Sequence, residues 1–381
     1  MIPRQQTNTT HSTMNFTTKA VAACALLLAC SCTSSPKDNE LTVLIGTYTD
    51  TGSKGIYTYR LDKETLQSTL LSETETDNPS FLAISKDEKH VYSVSERKEA
   101  SFVHAFEFDK NSGKLTFLNK ASIGKGSCHV TVHDEGGFVS TASYNGGSIS
   151  VSPLTKDGMV RMSGELYQYA ASGPDKKRQD ASYLHCTAAS PDGKMLFATD
   201  LGGDAIYQYR IQQEENKKLK SEGPIFVSPG SGPRHLTFNN KGDKAYLISE
   251  LSGMVDVFEY NEKSGLKKVQ SILADTCHAR GSADIHLSPD NRFLYASTRL
   301  KGDGIHIFSI GKDGLLTRVG YQATAKIPRN FCITPDGKLM LVACMKADCI
   351  QIYRINPENG MLTDTHQKLE AKRPVFVQSL K

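Results

Sequence analysis

The sequence predicts an all-β fold, a seven-bladed β-propeller with four-stranded antiparallel blades, and three observations carry it. A turn of the form Ser-Pro-Asp-Gly-Lys recurs, its period lies in the forties, and apolar residues alternate with polar ones on either side of each copy. The clearest copies are Ser190-Pro191-Asp192-Gly193-Lys194, Ser288-Pro289-Asp290-Asn291-Arg292 and Thr334-Pro335-Asp336-Gly337-Lys338. Weaker ones are Ser85-Lys86-Asp87-Glu88-Lys89, His133-Asp134-Glu135-Gly136 and Asn239-Asn240-Lys241-Gly242. Proline presets φ and Asp-Gly accepts the turn geometry, so each copy marks a hairpin.

Counting back eight residues from the third turn residue gives equivalent starts at Pro79, Ser127, Leu184, Pro233, Ser282 and Pro328. Pro374 begins a seventh, truncated unit, and the spacings are 48, 57, 49, 49, 46 and 46. A period of this length with strand signals and no helical periodicity marks propeller blades.

Along the chain, residues 1–29 read as an export signal, with Met14 offering a second start, Lys19 the positive charge, and Ala20 to Ala29 an apolar run too short to span a membrane. The run ends Leu27-Leu28-Ala29-Cys30-Ser31-Cys32, which resembles a bacterial lipobox. Cys30 is the first choice for lipidation and Cys32 the second; an ordinary cleaved secretory signal is the alternative. Residues 30–40 then form a lipidated tether that holds the protein in the cell envelope, on a periplasmic or surface face, and residues 41–381 form one propeller domain.

Leu41 to Leu61 reads as second and third strands without a first, and Pro374 to Leu380 as a first strand without the rest. Joined, they close the ring. Between them each unit follows one plan. In the unit that starts at Pro233 it runs His235-Leu236-Thr237-Phe238, the turn, Lys244-Ala245-Tyr246-Leu247-Ile248, then Val255-Asp256-Val257-Phe258-Glu259-Tyr260, and a short fourth strand near Leu266-Lys267-Lys268-Val269.

Charge is nearly balanced at 45 basic against 41 acidic residues, which gives nucleic acid no footprint, and a monomer is expected. Of the cysteines beyond the signal, Cys186, Cys332 and Cys344 fall within expected strands, where free Cys acts as a small buried hydrophobe. No Cys-x-x-Cys or His-x-x-x-His spacing marks a metal site, and no cofactor is expected. A Gly-x-Ser-x-Gly elbow, a Walker loop and a His-Glu-x-x-His helix are all missing.

Strand one starts, and strand two ends, at the same channel mouth. The first column of candidates is Ser80-Phe81, Cys128-His129, His185-Cys186, Arg234-His235, Ala283-Asp284, Arg329-Asn330 and Val375-Phe376. The second is Glu96, Tyr144, Asp200, Glu250 and Arg299. Arginines, carboxylates and imidazoles converging there suit an anionic or polyhydroxylated ligand, with groups at hand for proton transfer. Turn satisfaction and strand-tying salt bridges are competing roles for the same residues.

The segments Leu44-Ile45-Gly46-Thr47-Tyr48-Thr49, Leu184-His185-Cys186 with Asp200-Leu201-Gly202, Gly232-Pro233-Arg234-His235, Ser249-Glu250-Leu251, Ser282-Ala283-Asp284-Ile285-His286 and Pro328-Arg329-Asn330-Phe331 together resemble the lactonase family of seven-bladed propellers. That family includes propeller-type 6-phosphogluconolactonases and the fungal carboxymuconate-lactonizing enzyme, and the likeness spans residues 42 to 380. It implies catalytic roles for His185, Arg234, Glu250 and Arg299, with Arg280 and Arg329 as rivals for the second arginine. His129, His235, Asp284, Arg329 and Asn330 are expected to bind substrate. The chain departs from the usual family wording at Cys128-His129 and at Ser297-Thr298-Arg299, which bears on specificity more than on fold.

The implied reaction is hydrolysis of a sugar-acid lactone, in which water deprotonated by Glu250 or His185 attacks the ring carbonyl while Arg234 and a second arginine hold the oxyanion. No metal takes part. A carboxymuconate-type cycloisomerase and a non-catalytic envelope binding propeller are the alternatives. The export signal argues for an unphosphorylated lactone.

Overall fold

The recurring turn is a self-sufficient hydrogen-bonded unit, as the computed structural model shows; it describes residues 39–162, 164–214 and 217–380. In the last copy Thr334 Oγ1 donates to Asp336 Oδ1 (2.7 Å) and accepts from Leu339 N (3.0 Å), while Asp336 Oδ1 accepts from Lys338 N (3.2 Å). Ser288, Asp290, Arg292 and Phe293 repeat that set. The fourth turn position sits at φ 69° in Gly193 and φ 71° in Gly337, a left-handed conformation that glycine adopts freely, and Asn291 substitutes at φ 58°. The signals on residues 1–29 and the tether, Cys30 and Cys32 included, lie outside the described residues, apart from the tether's last two.

Among the described residues the strands assemble into seven four-stranded antiparallel sheets. The first blade runs Pro374–Leu380, Glu40–Thr47, Gly55–Asp62, Ser68–Glu75 from the channel outward, with Leu44 opposite Gln378, so the C-terminal strand closes the ring as expected. The next six follow in chain order, and their inner strands are Leu82–Ile84, Ser127–His133, Leu184–Ala189, Pro233–Phe238, Ser282–Leu287 and Pro328–Ile333.

Apolar faces of neighbouring blades pack against one another. Phe197 and Ile206 meet Leu247 and Phe258, and on the other side of the ring Val43 and Ile45 meet Leu341 and Ile350. Each such side chain, fully buried, contributes about 1.5–3 kcal/mol. Cys128, Cys186, Cys332, Cys344 and Cys349 are free and buried, in line with the hydrophobe reading, while Cys277 is free and exposed.

The fourth strand of the fifth blade runs further than the sequence suggests. The one expected near residues 266–269 spans Gly265–Leu273, with a register shift at Val257/Phe258 in its partner. An outermost strand has an open edge and a wetted face, so its pairing continues without the apolar alternation that marks a strand in sequence.

A second irregularity positions the site. The pairing of first with second strands shifts register near the channel mouth in six blades, at Gly46/Thr47, Ser127/His129, Leu184/Cys186, Pro233/His235, Ser282/Ile285 and Pro328/Asn330. A bulge leaves an extra residue unpaired and re-aims its side chain. In this way His185 and Cys186, and likewise Arg234 and His235, both reach the channel instead of alternating away from it.

Candidate active site

Two tiers of polar side chains fill the channel. The upper tier centres on Glu250, at the end of its blade's second strand, whose carboxylate accepts from Arg178 Nη2 (2.5 Å), Arg234 Nε (3.0 Å) and Arg299 Nη2 (3.1 Å). Arg234 Nη1 also donates to Ala283 O (2.6 Å), and Arg299 Nε to Gly281 O (2.8 Å). Burial opposes charge on Glu250, and Arg299, Arg234 and Arg178 overcome it, holding its pKa at about 2. Burial lowers Arg299 to about 9 and pushes Arg234 down too; both guanidiniums remain charged at neutral pH.

The lower tier turns on Asp284. Its carboxylate joins His235 Nδ1 (2.7 Å) and His286 Nε2 (2.9 Å) and accepts from Asn330 Nδ2 (2.6 Å) and Phe331 N (3.2 Å). Asn330 Oδ1 accepts from Val377 N (2.7 Å), tying this tier to the ring-closing strand. At the same strand position the rings of Phe81, His129 and His235 pack at 4.1, 5.4 and 5.9 Å, with Phe376 4.7 Å from Phe81, and together plug the channel.

His185 joins the tiers. Its ring lies 5.2 Å from His235 and 5.7 Å from Tyr144, and Nδ1 is 3.8 Å from Cys128 Sγ. Burial, then the positive field of Arg234, drives its pKa well below the usual imidazole value, so it is neutral at pH 7. Burial and Arg234 likewise bring His235 down to about 4, and burial and His235 push His129 well down.

The sequence-predicted residues therefore divide. Arg234, Glu250 and Arg299 form one ion cluster, with His185 next to it; His129 and His235 lie in the plug, and Asp284 and Asn330 join it through His235. Arg329 stands over the Tyr48 ring at 5.6 Å, and Tyr48 Oη donates to Glu96 Oε2 (3.0 Å). Asp200 serves its own turn, accepting from Tyr183 N (2.8 Å), Gly202 N and Gly203 N (both 3.0 Å). Arg280 pairs with Asp175 and makes no bond to Glu250 among those found in the described residues.

Three participants were not assigned a role from sequence. Arg178 lies in the segment responsible for the anomalous 57-residue spacing, a signal of extra length without a signal of purpose. Tyr48 sits within a quoted family segment, and His286 within another, but two residues beyond the column counted. Among the described residues no group of three or more His, Cys, Asp or Glu side chains is arranged to hold a metal ion.

The family model described as "Lactonase, 7-bladed beta-propeller" matches residues 42–379. This chain belongs to that lactonase family. The 6-phosphogluconolactonase of Formosa agariphila is 34% identical over 86% of this chain and 96% of its own length, and that of Bacillus subtilis is 33% identical over 88% and 97%. A crystal structure of a putative 6-phosphogluconolactonase from Bacteroides fragilis superposes with a TM-score of 0.88 at 46% identity, covering 91% of this chain and all of the other. The periplasmic gluconolactonase of Pseudomonas aeruginosa superposes with a TM-score of 0.85 at 28% identity, covering 90% and 99%.

Proposed function

We propose that this lactonase-family propeller hydrolyses a sugar-acid lactone with His185 as general base. The observation that carries the reading is the Glu250 carboxylate bound by three guanidiniums beside a neutral imidazole. A carboxylate held at about 2 is a weak base at neutral pH, which gives the proton-accepting role to His185 over Glu250. Glu250 instead orients Arg234 and Arg299.

In the scheme, His185 takes a proton from water as its oxygen bonds to the lactone carbonyl carbon. The resulting oxyanion lies against Arg234 and Arg299, whose cost of orientation Glu250 has already met. Collapse breaks the ring C–O bond, and the His185 imidazolium returns the proton to the departing alkoxide, giving the hydroxy acid. No step in this scheme routes through a metal.

The compartment follows from the N-terminal signal. We read the chain as an exported lipoprotein anchored through Cys30, or Cys32, and working as a monomer; the likeness to a periplasmic gluconolactonase supports the exported reading. Turnover of δ-gluconolactone and its 6-phosphate by wild type and Glu250→Gln tests the site, and loss of at least a hundredfold in kcat/KM is expected. Equal turnover by both proteins would remove Glu250 from the mechanism.

A further inference from the structure

Residues 169–183 join the third blade to the fourth in a fifteen-residue connection, whereas the six other blade-to-blade connections take three to eight residues. All seven lead into the start of an inner strand, so this longest one lies at the mouth that holds Glu250. Its form is fixed from within. Gln179, fully buried, donates through Nε2 to Leu201 O (2.9 Å) and Asp204 Oδ1 (2.8 Å), Gln179 N donates to Asp175 O (2.6 Å), and Ala171 N donates to Ser182 Oγ (2.8 Å).

From this braced segment two charged side chains reach other blades. Arg178 pairs with Glu250 of the fifth blade, and Asp175 pairs with Arg280 on the connection to the sixth. The segment thus straps one side of the mouth.

Arg178 differs from the other two guanidiniums on Glu250. Its side chain is 35% exposed, against 2% for Arg234 and 10% for Arg299, and it comes from a loop, not a strand end. A guanidinium carries five N–H donors, and those not engaged by Glu250 and the Tyr144 hydroxyl are available to a ligand. An arginine fork suits a carboxylate or a phosphate monoester.

We propose that residues 169–183 are a specificity strap and that Arg178 binds a second anionic group, carboxylate or phosphate, on the far end of the sugar-acid substrate. Arg234 and Arg299 serve the reacting carbonyl, and the Asp175–Arg280 pair latches the strap so that Arg178 is held over the mouth. This rests on the lactonase reading for the nature of the sugar acid, but its test uses product acids and needs no turnover.

Calorimetric titration of the wild-type protein with gluconate, glucarate and 6-phosphogluconate reads the preference directly. The two acids with a second anionic group are expected to bind at least tenfold more tightly than gluconate, the larger gain marking carboxylate or phosphate as the natural group. Arg178→Gln abolishes that preference, Arg178→Lys keeps part of it, and Arg280→Gln weakens it.

Equal loss of all three affinities in Arg178→Gln would overturn the proposal, leaving Arg178 as a support for Glu250 alone. Absence of any preference in the wild type would overturn it as well. If Arg178→Gln fails to fold, Arg178→Lys decides, since a lysine that retains the full preference excludes recognition by a fork. Hydrolysis of δ-gluconolactone by wild type is scored separately, so a failed lactonase reading and a failed strap give different results.

Discussion

Arg234 Nε lies 3.0 Å from Glu250 Oε2 with both side chains shielded from solvent. Removing the carboxylate strands two buried guanidiniums, so Glu250→Ala is expected to cost about 3–5 kcal/mol of stability in urea denaturation. The pH dependence has a definite sign. Glu250 is held at about 2 when folded, against about 4.3 in an unfolded chain. Its stabilisation is therefore present above about 4.3 and lost as pH falls toward 2. Denaturation midpoints for wild type should fall more steeply from pH 5 to pH 2 than those of Glu250→Gln; parallel curves would contradict the assignment.

His185 should carry the proton. His185→Gln is expected to lower kcat by about 10²–10⁴ with a smaller change in KM, measured on δ-gluconolactone with spontaneous opening subtracted. Because burial and Arg234 push its pKa well below the ordinary imidazole value, the base remains unprotonated down to acidic pH. The acidic limb of kcat/KM should therefore fall well below pH 6.5. A limb centred at 6.5 or above would point to a different base.

The Asp284–His286 pair titrates in the opposite sense. Burial works against charge on His286, but Asp284 wins and raises it above the ordinary value. Stability from His286 is present below the unfolded value of about 6.5 and fades as pH rises through the folded one. NMR titration of His286 should show a downward shift in Asp284→Asn, and an unchanged value would deny the coupling.

The repeated turn offers a control. Gly193 has φ 69°, and an added Cβ would lie 3.2 Å from Glu135 Oε2. Gly193→Ala should cost about 1–2 kcal/mol through left-handed strain and leave kcat unchanged, because the turn closes the end of the hairpin away from the mouth. A large fall in kcat without unfolding would give the turn a role the geometry does not support.

The ring was readable because the turn is local: Ser190, Asp192 and Gly193 specify their hairpin by mutual hydrogen bonds, so each copy announces itself without its neighbours. The mouth columns were readable for the same reason, since the count from each turn reaches the bulge where Arg234 and His235 are re-aimed. Asp284 was placed at the mouth by that count, yet its four partners come from three different stretches of chain, and no one-dimensional spacing encodes that depth. Arg178 escaped because it reaches Glu250 from 72 residues away on a connection far longer than its counterparts in the other repeats.

Pairing of Glu40–Thr47 with Pro374–Leu380 makes the first sheet depend on residues separated by nearly the whole chain. Phe376 packs on Phe81 in the plug, and Asn330 is oriented by Val377 N. A chain that lacks the final strand therefore has six complete sheets at most. Closure of the ring is tied to arrival of the final strand, which makes that step a checkpoint on the integrity of the polypeptide: fragments lacking it keep Arg234 and Glu250 but lose the Phe376 contact with Phe81 and the Val377 bond to Asn330.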